Sequence, residues 1–184
     1  KKSISVILCL SLVLCSLFSI SSVAFAAEAS VAKNLLSVET GGVFKDTITY
    51  TVYLNPGVNI AGSTIWITYD PNVLEVASAG QAQGSPIAGY YTNGPVDGKS
   101  DTYTIAYFNA GEYKNSAANS TKKAFVQITF KVKGDARPVT SVSFRCREFV
   151  SDTQPQNNIS QYDDYEPFYA QSFTTLSTTH MLSA

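Results

Sequence analysis

Residues that usually carry catalysis are scarce in this chain. Its 184 residues include one histidine, one tryptophan, one methionine and three cysteines, and only 15% are charged. The histidine, His180, stands near the recorded end, so a Ser-His-Asp or Cys-His device has no base. Cysteine and histidine do not fall at zinc-ligand spacing. The phosphate-cradling, dinucleotide-binding and calcium-loop motifs are absent as well. No window sustains a helical period; "EYKNSAANSTKK" allows one turn at most. There is no basic excess, which argues against nucleic acid or an anionic membrane as partner. Without Lys1 and Lys2, 11 basic residues face 14 acidic ones, a net charge of about −3.

What is present begins with "KKSISVILCLSLVLCSLFSISSVAFAAEA". Two lysines, an apolar and serine run and the small-residue end Ala24-Phe25-Ala26 have the layout of a secretory signal peptide over residues 1–26. A membrane anchor would carry charge after the apolar run, and a lipoprotein signal would need a small residue where Leu14 precedes Cys15. No methionine opens the chain, so the start of translation is expected upstream. Cleavage after Ala26 removes Cys9 and Cys15 and leaves Cys146 alone, so the exported domain is held by its core and not by a disulfide. The remaining residues suit one domain. Sequons at Asn119 and Asn158 matter only in a glycosylating host.

That domain is patterned as strands. "DTITYTVYLNPG" alternates Ile48, Tyr50 and Val52 with Thr49, Thr51 and Tyr53 and stops at a Pro-Gly turn. "STIWITYD" alternates likewise and is ended by Pro71, which cannot donate to a ladder. "DTYTIAYFNAG", "AFVQITFKVKG" and "VTSVSFRCREF" continue the pattern, a further short strand is expected around Ile87 to Tyr91, and "PFYAQSFTTL" is a closing strand. Short strands with turn signals and β-branched and aromatic enrichment predict an all-β, two-sheet β-sandwich of jelly-roll topology with about nine strands. The expected organisation is a signal peptide (1–26), a short linker (27–34), the sandwich (35–175) and a C-terminal tail (176–184).

Carboxylate-pair hydrolysis is the remaining catalytic option, and Glu75, Glu112 and Glu148 are its candidates. Each falls at a strand end or in a turn, where acidic side chains are ordinarily solvated. In "YDDYE", residues 162–166, two adjacent Asp on a strand would point to opposite faces, which argues against a metal site. No enzyme activity and no cofactor are expected.

At "IAGSTIWITYDPNVLEV" the sequence resembles the cohesin family, β-sandwich modules that bind dockerins in cellulosomes. The family's Tyr-Asp-Pro-x-x-Leu-Glu-Val end is matched by Tyr69, Asp70, Pro71, Asn72, Val73, Leu74, Glu75 and Val76. "DTYTIAYFNAG", "KKAFVQITFKVKGD" and "VTSVSFRCREFVSD" resemble later segments in the family's order, so the likeness spans roughly residues 35–155. It implies a monomeric, secreted, non-catalytic module that captures a dockerin-bearing enzyme or scaffold. Calcium would then belong to the dockerin. The resemblance also implies docking on the sheet that holds this strand, with Tyr107 at a contacting position. Many type I members carry Asn and Asp at the strand entry; Gly62 and Thr64 stand there in this chain.

Alternation within the strands selects the same face. Trp66 is out of phase with Ile65 and Ile67 and in phase with Thr64 and Thr68. On the next strand Thr104, Ala106 and Phe108 share one side, and Tyr103, Ile105, Tyr107 and Asn109 the other. Arg145, in phase with Ser141 and Ser143, is suited to a partner carboxylate. Gly62, Thr64, Trp66, Thr68, Tyr103, Tyr107 and Arg145 are therefore the candidate partner-binding residues. Trp66 has three open uses: protein recognition, internal packing, or sugar stacking. The last would make the chain a carbohydrate-binding module, with Trp66, Tyr103 and Tyr107 as its platform.

Overall fold

The computed structural model describes residues 32–44, 46–115, 121–133, 139–160 and 166–174. The expected signal peptide, the tail, His180, Asn119 and nearly all of the "YDDYE" stretch lie outside them. The described residues form nine strands: β1 (Leu36–Phe44), β2 (Thr47–Leu54), β3 (Ile60–Tyr69), β4 (Leu74–Gln81), β5 (Tyr90–Pro95), β6 (Thr102–Tyr113), β7 (Lys123–Val132), β8 (Val139–Val150) and β9 (Tyr169–Thr174). All pairings are antiparallel. One sheet has the order β1-β2-β7-β4 and the other β5-β6-β3-β8-β9. This is the all-β sandwich that the alternation predicts.

The period-two pattern becomes burial directly. Ile48, Tyr50, Val52 and Leu54 of β2, and Ile65 and Ile67 of β3, are buried, while the residues between them are not. Aromatic rings clamp the sheets together: Tyr50 lies 5.5 Å from Phe144, Tyr69 5.0 Å from Phe130, and Tyr107 5.2 Å from Phe125 between centroids. Each pair joins one sheet to the other, and such contacts contribute about 0.5–1.5 kcal/mol beyond their buried area. The Asp-Pro turn closes as expected, with the N–H groups of Val73 and Leu74 donating to the Asp70 carbonyl and that of Asn72 to its side chain. Cys146 is buried, and burial pushes its thiol up to about 12.

Four elements differ from the sequence expectation. Residues 32–35, placed largely in a linker, make a helical turn that buries Ala32 and Leu35, and the Asn55 side chain donates to the carbonyls of Lys33 and Asn34. The strand expected at Ile87 to Tyr91 runs instead over Tyr90–Pro95. Ile87 packs in the core as a loop residue, its carbonyl accepting from the Tyr91 hydroxyl at 2.6 Å. Strands β1 and β4 have no counterpart in that expectation: the Gly41-Gly42 pair and charged Glu39 interrupt the alternation in β1, and the small residues Ala77, Ser78, Ala79 and Gly80 do so in β4.

Gly89 is the tight point of the 85–90 loop. A Cβ there would lie 2.4 Å from Cε2 of Tyr107 and 2.9 Å from the Phe108 carbonyl. Gly89→Ala is expected to cost about 1–3 kcal/mol in denaturant unfolding. Gly94→Ala, whose Cβ meets nothing within 4 Å, serves as the matched control and should stay within about 0.5 kcal/mol.

Candidate functional site

Strand β3 lies between β6 and β8, so its outward side chains occupy the middle of a broad face. The register sets out three rows across that face. Tyr90, Phe108, Gly62 and Val150 form the first. Thr92, Ala106, Thr64 and Glu148 form the second, and Gly94, Thr104, Trp66 and Arg145 the third. Beyond them Thr68 faces Thr102 and Ser143.

The first row is apolar and open. Tyr90 is 75% exposed and Phe108 61%, and they are the large hydrophobic residues that stand out from the described surface. With Gly62 as floor they border a hollow of about 540 Å³, also lined by Ala106, Val150 and Asp152. A Cβ on Gly62 would meet the Tyr107 carbonyl and Val150 at 3.6–3.7 Å, ordinary contact. Glycine there is thus not forced by crowding; it leaves the hollow deep. In the second row the Thr64 hydroxyl donates to Glu148 at 3.2 Å. In the third, the half-buried Trp66 lies under two cations, with the Arg147 guanidinium 4.7 Å and the Lys99 ammonium 5.4 Å from its ring centroid.

Of the seven candidate residues, the structure gathers Gly62, Thr64, Trp66, Thr68 and Arg145 on this face. Tyr103 and Tyr107 are not on it. Tyr107 is 4% exposed, with its hydroxyl donating to the Ala88 carbonyl. Tyr103 packs against the core from the same side of β6 and donates to Asn93. The physical reason is the pleat: both are in phase with the buried Ile105, and the resemblance that put Tyr107 at a contact ran against its own alternation. The proposed sugar platform of Trp66, Tyr103 and Tyr107 therefore does not exist on one surface. Phe108, Tyr90 and Val150 were missed. Phe108 was detectable from its phase with Thr104 and Ala106; Tyr90 needed the true position of β5.

The three candidate acids serve separate places. Glu75 is an exposed residue of β4 in the other sheet, and Glu148 belongs to the outer face just described. Glu112 clamps the loop after β8, accepting from the hydroxyls of Ser151 and Thr153 (2.6 Å for the latter) and from the Thr153 N–H. Gln154 of that loop donates to the Gly57 carbonyl and accepts from the Asn59 N–H. This clamp holds the segment that brings Asp152 to the rim of the hollow. Burial raises the Glu112 carboxyl, but hydrogen bonds from Ser151, Thr153 and Asp152 outweigh it and hold the group below its usual value.

A family model described as the cohesin domain matches residues 36–163. Among solved structures, the seventh type I cohesin of a scaffoldin from Pseudobacteroides cellulosolvens is similar at 17% identity and a TM-score of 0.51, over 81% of this chain and 96% of that one. The sixth cohesin of scaffoldin B from Acetivibrio cellulolyticus, solved with a dockerin, gives 16% identity and a TM-score of 0.50, over 72% and 93%. These likenesses bear on the fold. No curated protein matches the chain.

The lowered Glu112 carboxyl contributes stability above the ordinary glutamate range, and that stability is lost as pH falls through its lowered folded value. An NMR titration should place its midpoint below that of exposed glutamates. Thr153→Val, which removes one donor, should move the midpoint upward.

Proposed function

The chain belongs to the cohesin family, and from that premise we propose that it is a non-catalytic recognition module that captures a dockerin-bearing enzyme or scaffold through the outer face of the five-stranded sheet. The observation that carries this reading is the exposed Tyr90–Phe108 pair beside the Gly62 hollow. Large exposed aromatics on an otherwise polar sheet face mark a contact surface, and aromatic anchors that fill or flank a pocket dominate such interfaces. Thr92, Thr64 and Thr104 around them supply a hydrogen-bonding surround. The face needs no chemistry of its own; it is preformed by the register of β3.

The signal-peptide layout supports action outside the cell; the role proposed for the module there is assembly of a polysaccharide-degrading complex, with the module itself a monomer. Calcium enters through the partner, whose loops require it to fold. The experiment is capture of purified, calcium-loaded dockerins by the domain, with chelation as the reversal. Retention on cellulose or xylan, with no dockerin captured, would favour a carbohydrate-binding module instead.

Phe108→Ala is expected to weaken dockerin affinity at least tenfold, about 1.4 kcal/mol, with the melting temperature unchanged because the ring is mostly in solvent. Gly62→Ala, whose Cβ would sit at ordinary contact distances from the Tyr107 carbonyl and Val150, should weaken it as well by making the hollow shallower. Calorimetric titration alongside thermal melts checks both.

A further inference from the structure

The docking face changes character along the strands. Its first row, Tyr90, Phe108, Gly62 and Val150, is apolar and borders a hollow whose far wall takes in Thr64, Glu148 and Asp152. Its third holds Trp66 opposite Arg145, with Arg147 and Lys99 over the indole. A β-bulge in β8 builds this cluster: Thr64 faces Glu148 and Ile65 faces Cys146, so Arg147 is the extra residue. Bulges re-aim side chains. Strict alternation after Arg145 would turn Glu148 inward; the bulge returns it to the outer face beside Thr64. The result is a graded surface: apolar, then hydroxyl and carboxylate, then guanidinium on indole.

We propose, on the docking reading above, that the selected partner is acidic at the Trp66 end. It seats an apolar side chain in the Gly62 hollow and sets a carboxylate between Arg145 and Arg147. The two positions on β3, Gly62 and Trp66, are four residues apart, about 13 Å along a strand. In a helix laid along β3, that distance separates groups about eight residues apart on one face. Arg147 stacked on Trp66 is a pre-set planar donor, and guanidinium–carboxylate pairing is bidentate. Trp66 thus acts as a positioning residue for Arg147. Glu148, in the second row, repels a partner carboxylate placed midway and confines the acid to the third row. Asp97 and Asp101 lie in the turn that carries Lys99, beyond the ends of β5 and β6, and Asp101 is engaged by the Thr102 hydroxyl.

The test titrates a set of purified, calcium-loaded dockerins of differing surface charge into the domain at about 50 and 500 mM salt, where screening lengths differ severalfold. Dockerins that bind should carry a carboxylate at this spacing from an apolar residue, and their affinity should fall at least tenfold with salt. Arg145→Glu combined with Arg147→Glu should lower affinity at least a hundredfold at unchanged melting temperature. Exchanging the partner's carboxylate for lysine should restore at least tenfold of it. Should the double reversal unfold, single Arg145→Gln and Arg147→Gln variants, each expected to lose about tenfold, take its place. Trp66→Leu should weaken binding and flatten the salt dependence. Binding that is lost in Phe108→Ala but indifferent to salt and to the arginine variants overturns the charge proposal and leaves the docking reading standing. Failure of every dockerin to bind removes both.

Discussion

The pleat of β3 is the constraint on which the surface depends. Paired on one side with β6 and on the other with β8, it has no freedom to slip. A shift of one residue would expose Ile65 and Ile67 and bury Trp66, Thr64 and Gly62, exchanging the whole core set for the polar one. The two buried isoleucines therefore fix the outward row as firmly as they fix the core. Phe108, Ala106 and Thr104 follow on β6, and Arg145 on β8, because the register leaves each no other side.

The inner layer keeps that register rigid. Tyr50, Tyr69 and Tyr107 reach across to Phe144, Phe130 and Phe125, so each sheet is keyed to the other at several depths. Tyr107 also ties the 85–90 loop, with Gly89 beneath its ring and the Ala88 carbonyl on its hydroxyl. That loop delivers Tyr90 to the outer face. The Glu112 clamp does the same at the other edge by holding the segment of Asp152. The two walls of the hollow are thus set by buried or charge-assisted contacts, while its floor is a glycine.

Much of this was legible in the sequence. Strands β2, β3, β6, β7 and β8 alternate over most of their length, so both their existence and most of their faces follow from hydrophobic period. The less regular elements escaped for local reasons. Strand β1 carries a glycine pair, and β5 ends in Asn-Gly-Pro, a turn signal that masks its pairing with β6. Alternation placed Trp66 and Arg145 on the outer face, where the structure has them, whereas Tyr103 and Tyr107, both in phase with the buried Ile105, turn toward the core. The cluster around Trp66 lay beyond sequence reasoning. Lys99 comes from a distant turn, and the bulge that places Arg147 and Glu148 together is a matter of strand pairing, not of composition.

The proposed partner capture uses the outer face of the five-stranded sheet. Backbone amide NMR of the domain, with and without a captured calcium-loaded dockerin, tests it most directly. Perturbations are expected to concentrate on Tyr90, Thr92, Gly62, Thr64, Trp66, Phe108, Arg145 and Val150. Perturbations confined to the β1-β2-β7-β4 sheet, with these residues unmoved, would contradict it.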